Sequence, residues 1–337
     1  MQVYILLAIL AFSILIIGHE FGHFIVAKLN NVKVEEFSLG MGPKIFGIKG
    51  KETEYLIKAL PIGGYVKMLG EEDKSDDPRA FSNKSSLRKL SIVSAGPIMN
   101  ILIAILLFGI TGYARGVVTT EIKSVLNDSP AQKAGIMADD KILTINNKKI
   151  NTWDEISTEI IKNGSKELVV EVQRGKDIIS FNMVPVLNEE TKNYMIGIEP
   201  KTKKPSLGQS ISYGFNETVT LTKETFKFFG TLFQGKAKAS DFGGPITIIK
   251  VSTSAAKAGI TSLLFLTAYL SIQLAIFNVL PFPALDGGWI FLFLFEIITR
   301  KKADDKKVAV VNYIGFIFLM LLMVLVLLKD IFYPINF

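Results

Sequence analysis

Four long apolar stretches dominate the hydrophobic pattern of the chain. They run from Val3 to Ala27, from Leu90 to Ala114, from Ile260 to Leu280 and from Val308 to Leu328. A helix needs about 20 predominantly apolar residues to cross the hydrocarbon core of a bilayer. The pattern therefore predicts four transmembrane helices. A fifth apolar run, from Trp289 to Ile298, is too short to span the bilayer and predicts a buried or re-entrant helix.

Basic residues set the predicted orientation of these helices. No Lys or Arg precedes Lys28, so the first stretch lacks the basic start of a cleaved signal peptide and is expected to stay in the protein. The short loop after the third stretch is rich in basic residues, namely Arg300, Lys301, Lys302, Lys306 and Lys307. Short loops of this kind remain in the cytoplasm. Both termini and the long region from Arg115 to Gly259 are therefore expected outside the cytoplasm.

That long region changes from helical to strand-like periodicity. Four short β-type runs surround one helical stretch, and they are Glu121 to Val125, Lys141 to Ile145, Glu167 to Gln173 and Ile178 to Val184. They predict one small α/β domain. From Ser206 to Phe233, apolar residues recur at helical spacing. This segment predicts an amphipathic helix, either on the membrane surface or packed against the spans.

The patterns divide the chain into four parts. Residues 1–114 carry two spans, residues 115–200 form the small domain, residues 201–259 hold the amphipathic helix and a linker, and residues 260–337 carry the last two spans. The expected fold is a polytopic α-helical membrane protein with one α/β domain outside the cytoplasm.

Within the first part, the apolar segment from Thr53 to Leu69 is interrupted by Pro61, Gly63 and Gly64. It predicts two short strands joined by a Pro-Ile-Gly-Gly turn, as a membrane-associated β-hairpin.

Composition agrees with a membrane part joined to a soluble part. The 337 residues are 49% hydrophobic and 20% charged, with a mean hydropathy of +0.37. The net charge is +7, but the lysines are scattered along the chain with acidic residues between them. No basic stripe with interleaved aromatic residues stands out, so we expect no nucleic-acid partner. The absence of cysteine excludes disulfides, thiolate nucleophiles and cysteine-type zinc sites.

The first stretch contains His19-Glu20-Phe21-Gly22-His23, which has the form H-E-x-x-H. On a helix, residues four apart share a face, so both imidazoles can bind one Zn²⁺ while Glu20 reaches the reacting water. These are the only two histidines of the chain. Ionisable groups in a membrane helix each cost about 2.5–3.5 kcal/mol, which favours a functional role. A pair of polar residues that only hydrogen-bond between helices is the alternative.

A catalytic zinc ion usually has three protein ligands, so Asp or Glu must supply the third here. Asp286 is the main candidate because Pro281 and Pro283 interrupt the helix just before it, where freed backbone groups must be buried or line a wet cavity. Glu296 is the rival, in a regular apolar run. A helix cap or an interfacial anchor is the alternative role for Asp286.

Depth in the membrane provides an independent check. His19 lies about 24 Å along its helix from Val3, and Asn278 lies about 27 Å from Ile260, at 1.5 Å per residue. Both spans run from outside to inside in the predicted orientation. The H-E-x-x-H motif and the segment that leads from Asn278 to Asp286 therefore both reach the cytoplasmic third of the membrane.

Three ordered motifs resemble those of the site-2 protease family of intramembrane metalloproteases, and more closely those of the bacterial regulators of sigma-factor proteolysis. They are His19-Glu-Phe-Gly-His23, Gly96-Pro97-x-x-Asn100 and Asn278-x-x-Pro-x-Pro-x-Leu-Asp286-Gly-Gly. The resemblance implies one Zn²⁺ per chain held by His19, His23 and Asp286, with Glu20 as catalytic base. It implies cleavage of single-span membrane proteins, after a first cut outside the cytoplasm, by an enzyme of the bacterial cell membrane whose active site lies near the cytoplasmic side.

The resemblance also suggests how a substrate is held. Asn278, with Pro281 and Pro283, would contact the substrate backbone, and the segment with Gly63 and Gly64 would be a re-entrant β-loop. An exposed strand edge there could bind an extended substrate by β-addition. A loop that only packs at the interface is the alternative.

The α/β domain resembles a single PDZ domain. The matching residues are Ser129-Pro-Ala-x-x-Ala134-Gly135-Ile136 and Asp140-Lys-Ile142. Asp139 stands where the pattern usually has Gly, and Asp tolerates a left-handed turn better than most residues. The domain is expected either to bind a peptide ligand or gate access, or to act only as a spacer.

Two other functions are compatible with parts of the pattern. A non-catalytic membrane scaffold with a PDZ domain would not need Glu20 in its motif. A zinc transporter would need polar residues along the whole path, and the outer halves of the spans have almost none. Anti-sigma factors, remnant signal peptides and peptide-pheromone precursors all fit as substrates.

Overall fold

The computed structural model describes residues 2–71, 75–189, 191–236 and 243–334. Residues 237–242, within the predicted segment 201–259, lie outside this part, as do the side chains of Pro61, Ile62 and Asp305. The chain divides into two compact units. The first unit comprises Met1–Thr111 with Ile211–Phe337, and the second comprises Gly112–Ser210.

The described residues form long helices at both ends of the chain and a group of strands and short helices between them. In chain order, they are α1 (Gln2–Leu29), β1 (Val34–Lys49), β2 (Glu54–Met68), α2 (Ser86–Arg115), β3 (Val117–Val125), α3 (Pro130–Ala134), β4 (Lys141–Ile145), β5 (Lys148–Lys149), α4 (Trp153–Asn163), β6 (Leu168–Arg174), β7 (Asp177–Met183), β8 (Val186–Leu187), β9 (Tyr194–Met195), β10 (Ile198–Lys203), α5 (Leu207–Phe233), α6 (Pro245–Ala258), α7 (Ile260–Val279), α8 (Asp286–Thr299) and α9 (Asp305–Phe332).

Each of the four predicted spans is helical. Among the described residues, α1, α2, α7 and α9 are long and apolar enough to cross a membrane. The short apolar run after Asp286 forms the 14-residue helix α8, which is too short to span. The large side chains on α9 are mostly exposed, as expected for a helix that faces lipid.

The predicted two-strand hairpin at the Pro-Ile-Gly-Gly turn is wrong. Residues 54–68 belong to one strand, β2, which pairs with β1. Leu39 of β1 lies opposite both Gly64 and Ile57, so the two halves of β2 flank β1 and do not pair with each other. Strand β1 was not predicted, because Gly40, Gly42 and Pro43 interrupt its alternation of apolar and polar residues.

Helix α5 packs against α2 and α7, which decides between the two positions predicted for it. Ser210, Gly214, Thr218 and Thr225 are buried on its inner face. A Cβ at Gly214 would lie 2.1 Å from the carbonyl oxygen of Ile105, so only glycine allows this close approach. Small residues at the contact are typical of helix packing in membranes.

Helix α6 follows directly on Gly243-Gly244 and was not predicted. Its N-cap residue, Gly244, has no side chain to accept hydrogen bonds, and Asp330 near the end of α9 takes that role. The Asp330 carboxylate accepts bonds from the Gly244 and Thr247 amides at 3.1 and 3.0 Å and from the Thr247 hydroxyl at 3.0 Å. The last span thereby holds the start of α6, which packs against α1, α7 and α9.

The second unit is an antiparallel sheet with strand order β10-β3-β4-β6-β7, and β5 pairs beside β4. The strands and helix α4 enclose an aliphatic core that includes Ile122, Ile142 and Leu168. The carboxylate of Asp140 is fully buried and bonds to the Arg174 guanidinium at 2.7 and 2.8 Å. Asp139 adopts the left-handed conformation, with φ of 68°.

Candidate metal centre

His19 and His23 lie on one buried face of α1, four residues apart. Helix α2 approaches this face very closely. A Cβ at Gly96 would lie 2.3 Å from His23 Nε2 and 2.7 Å from His19 Nε2, and a Cβ at Gly22 would lie 2.4 Å from the Ala95 carbonyl oxygen. Glycine at both positions is therefore needed for the two helices to meet around the imidazoles.

Asp286 reaches the same place through the interrupted chain between α7 and α8. It is the first residue of α8. Ala284 adopts a left-handed conformation with φ of 70°, and its amide donates to Asn312 Oδ1 of α9 at 3.2 Å. Gly287 packs so tightly on the preceding loop that a Cβ there would lie 1.9 Å from the Leu280 carbonyl oxygen. The loop is thus fixed by contacts with both neighbouring helices.

The three side chains converge on one point. Asp286 Oδ2 lies 3.0 Å from His19 Nε2 and 3.4 Å from His23 Nε2, and the two Nε2 atoms are 3.2 Å apart. Ligand atoms that share a tetrahedral zinc ion at 2.0–2.1 Å lie about 3.3 Å from each other. Asp286 Oδ2 is buried and receives no aligned hydrogen bond. The distances and the ligand atoms of this three-residue cluster therefore fit a shared cation better than a hydrogen-bonded pair.

The far nitrogen of each imidazole also has a partner. His23 Nδ1 lies 2.9 Å from the carbonyl oxygen of Ile92, and His19 Nδ1 lies 3.1 Å from the amide nitrogen of Asn100. Such outer contacts orient histidine ligands and fix their tautomers. Asn100 belongs to the second motif found in the sequence, but the atom that it contacts could not be predicted from that motif.

Glu20 lies next to the cluster, close enough to interact with the charges of His23 and Asp286. It also meets the β1–β2 sheet. A Cβ at Gly64 would lie 3.2 Å from Glu20 Cγ and 2.8 Å from the Ser38 carbonyl oxygen. Residues 64–68 pair with β1 on one side, and no pairing among the described residues occupies their other edge.

The remaining sequence candidates lie around the cluster or away from it. Glu296 bonds instead to the Ser86 hydroxyl at 2.7 Å and to the Ala303 amide at 3.2 Å. Pro281 and Pro283 line a cavity of about 420 Å³ between α8 and α9. Asn278 is half-buried in the last turn of α7, and no hydrogen bond among the described residues joins it to the cluster. Gly63 packs on the Met41 side chain.

Comparisons with known proteins agree with this chemistry. The model of peptidase family M50 matches residues 7–322. A Clostridium acetobutylicum protein named "Putative zinc metalloprotease" is 52% identical over 334 residues, covering 99% of this chain and 98% of its own. "Zinc metalloprotease RasP" of Shouchella clausii is 28% identical, covering 97% and 98% of the two chains. The PDZ domain of an SdrC-like protein from Listeria monocytogenes is 18% identical, with a TM-score of 0.23, and covers 24% of this chain and 86% of its own.

Proposed function

Because the chain belongs to peptidase family M50, the site-2 proteases, and is a membrane metalloendopeptidase with a zinc cofactor, we propose that it hydrolyses peptide bonds within the transmembrane segments of single-span membrane proteins. The convergence of His19, His23 and Asp286 within apolar helices is the observation that carries this proposal. A site buried among membrane helices is suited to a substrate that is itself in the membrane.

In this proposal, His19, His23 and Asp286 hold one zinc ion, and Glu20 is the general base. Zinc, when bound, acts as a Lewis acid that activates water and polarises the scissile carbonyl. Glu20 takes the proton of the attacking water and returns it to the leaving amine. Because Glu20 is on the same helix as both histidines, one rigid element positions the base and two of the ligands.

The β1–β2 sheet is the proposed holder of the substrate. In a helical substrate, the N–H and C=O groups of the peptide bonds are paired in backbone hydrogen bonds. The helix must therefore unwind into an extended chain before hydrolysis. The open edge of residues 64–68 could accept an extended strand by β-addition. Since Gly64 adjoins Glu20, a strand on this edge would pass beside the catalytic base. Asn278, Pro281 and Pro283 would contact the substrate from the opposite segment.

The proposed orientation places both termini outside the cytoplasm and the cluster near the cytoplasmic side, from the basic loop after α8. The substrate class is single-span proteins already shortened outside the cytoplasm, such as anti-sigma factors or remnant signal peptides. The second unit is proposed as a PDZ-like domain that binds a peptide or gates access. Membership of a protease family argues against the alternative of a non-catalytic scaffold.

Replacement of Glu20 by Gln tests the chemistry. Loss of the base should lower cleavage of a reporter transmembrane segment by roughly 10²- to 10⁴-fold. Zinc content should stay at the parental value, because Glu20 is not a proposed ligand. Both quantities are measured on the same purified full-length protein in lipid. Turnover at the parental rate would exclude Glu20 as the base.

Substitution at Gly64 tests the substrate edge. Gly64→Ala adds a methyl group against Ser38 and Glu20, whereas Gly47→Ala, in the same sheet, meets only the movable Leu56 and Lys44 side chains. We expect Gly64→Ala to lower cleavage about tenfold, since positioning errors of about 1 Å cost up to 10²-fold, with zinc unchanged. The loss should be larger for substrates with stable helices than for substrates with Gly or Pro at mid-span. An equal loss for both substrate types would contradict a role in holding the extended strand.

A further inference from the structure

The cavity of about 420 Å³ between α8 and α9 has almost entirely apolar walls. The side chains that form most of them are Trp289, Phe291, Leu292 and Phe295 of α8 and Val308 and Val311 of α9. Phe291, Phe295 and Val311 are each more than half exposed. Exposed apolar side chains on membrane helices meet lipid tails, which are as apolar as they are. The cavity therefore opens toward the hydrocarbon of the bilayer.

One end of the cavity is cationic. Lys307 is the only charged residue among those that line it. This lysine lies in the first turn of α9, where the last span begins, and it makes no ion pair with a described residue. The segment that leads into α9, residues 300–307, contains five basic and two acidic residues. Positive charge thus gathers at the level where the headgroups of the bilayer begin.

The other end of the cavity is apolar, and α9 closes it against the loop before α8. A Cβ at Gly315 would lie 2.5 Å from Pro283 Cβ, so helix and loop are in direct contact there. Beside this contact, the rings of Phe282 and Phe318 pack with their centroids 5.5 Å apart. Gly315 lies about 12 Å along α9 from Lys307, at 1.5 Å per residue. A cation at one end and a closed apolar end match an amphiphile with a single charged head.

We propose that this cavity binds an anionic phospholipid, with one acyl chain between α8 and α9 and the phosphate at Lys307. Anionic headgroups bind basic pockets between membrane helices, and each Lys or Arg near the surface strengthens the attraction about fivefold. The inference requires only that α8 and α9 contact the bilayer, so it goes beyond the proposed proteolysis and does not depend on it.

The size of the cavity argues against a helix as its occupant. A transmembrane helix is about 30 Å long and 10–12 Å wide, so a cavity of about 420 Å³ could not enclose one from a substrate or from a second copy of the chain. An unwound stretch of substrate is the rival occupant, because Pro281 and Pro283 line the cavity and are also proposed substrate contacts. The experiment must therefore distinguish lipid from substrate.

Tryptophan fluorescence can report the occupant, because Trp289 lines the cavity and Trp153, in the second unit, is the only other tryptophan. The full-length Trp153→Phe protein is reconstituted in phosphatidylcholine vesicles with a varied fraction of phosphatidylglycerol whose acyl chains are brominated. Bromine quenches an indole on contact. Comparison with brominated phosphatidylcholine gives the relative affinity of the cavity for the anionic lipid, which should be about fivefold or more.

Two pairs of variants in this background separate the headgroup from the acyl chain. Lys307→Gln should lower the relative affinity about fivefold, whereas Lys301→Gln removes the same charge outside the cavity and should change it by less than about twofold. Val311→Phe should fill the cavity and weaken quenching by both lipids, since each methylene that is no longer buried lowers affinity about fourfold. Val310→Phe should keep the quenching, because Val310 is 58% exposed and does not line the cavity.

Several results would overturn the inference. They are an equal affinity of the parent for the two lipids, the same relative affinity in Lys307→Gln as in Lys301→Gln, and quenching in Val311→Phe as strong as in Val310→Phe. Relief of quenching by an added reporter transmembrane segment would assign the cavity to substrate and would also overturn it. The measurement needs neither zinc nor cleavage, so failure of the proposed function would leave its result unchanged.

Discussion

The second unit encloses a core of fully buried apolar side chains, whereas the helices of the first unit carry many large apolar side chains on the outside. The sheet of the second unit encloses Ile122, Ile142 and Leu168, which are fully buried. In the first unit Leu321 of α9 is 60% exposed, while polar residues such as Asn100 and Ser271 are fully buried. One chain thus folds against two solvents. Water favours an apolar interior, and a bilayer makes unpaired polar groups on the outside costly.

Two buried carboxylates, Asp140 in the second unit and Asp286 in the first, differ in what holds them. In the second unit Asp140 is paired with Arg174 and with the Met137 amide, as in an ordinary soluble domain. In the first unit the cluster around Asp286 brings together three groups that leave a buried oxygen without an aligned hydrogen bond. A satisfied polar group supports the fold, and an unsatisfied convergent cluster indicates function. This difference predicts that the two sites fail in different ways when they are mutated.

The largest effect is expected at the cluster. Asp286→Ala should remove bound zinc and abolish cleavage, because one of three proposed ligands is lost. Glu296→Ala is the matched control in the same helix, and it should keep its zinc because Glu296 bonds to Ser86 and Ala303. Zinc per chain is measured by elemental analysis. Full zinc in the Asp286 variant would mean that another group is the third ligand.

A smaller effect is expected when lysine replaces an exposed apolar residue in each unit. Leu321→Lys places a charge on the lipid-facing side of α9 and should cost about 2.5–3.5 kcal/mol of membrane insertion. Ile178→Lys, at a position that is 67% exposed on β7, should change stability by less than about 0.5 kcal/mol. A glycosylation-based insertion assay measures the first, and thermal unfolding of the full chain measures the second. Equal tolerance of both substitutions would contradict the assignment of α9 to the bilayer.

The smallest of these effects is expected at the buried ion pair of the second unit. Asp140→Asn keeps the shape of the side chain but removes its charge, which should lower the stability of this unit by about 2 kcal/mol. Hydrogen exchange of residues 112–210 in the full-length protein should accelerate, while zinc content stays unchanged. The exposed Asp177, at the start of β7, provides the control as Asp177→Asn. Loss of zinc in the Asp140 variant would show that the two units are not energetically separate.

Patterns along the chain could predict the parts of the fold that depend on periodicity. The four spans, α8 and strands β3, β4, β6 and β7 follow from apolar runs and alternation. The left-handed turn at Asp139 was expected from the resemblance to the PDZ pattern, which usually has Gly there. Strand β10, which pairs with β3, was not predicted. Strand β1 could not be predicted, because its glycines and proline read as a loop. Nor could α6, since the group that caps it is Asp330, far away in sequence.

The candidate site shows the same limit. Charge and hydropathy predicted that His19 and Asn278, which precedes Asp286 in the third motif, reach one depth in the membrane. In the structure, His19 Nε2 lies 3.0 Å from Asp286 Oδ2. The hydrogen-bond partners of the imidazole Nδ1 atoms could not be predicted, because a main-chain oxygen such as that of Ile92 has no sequence signature. The need for glycine at position 96 could not be predicted either, because it depends on how closely α1 and α2 approach each other.

The route of the chain through the cluster has a consequence for biosynthesis. His19 and His23 precede Asp286 in the chain, so they leave the ribosome first, and Asp286 follows only after α7 has been made. While the intervening chain is being made, the nascent protein therefore has two of the three converging groups and lacks the third. Asp330, which secures α6, is made later still. On the proposed function, a partly translated chain that lacks Asp286 is an incomplete protease and does not cleave its neighbours in the bilayer.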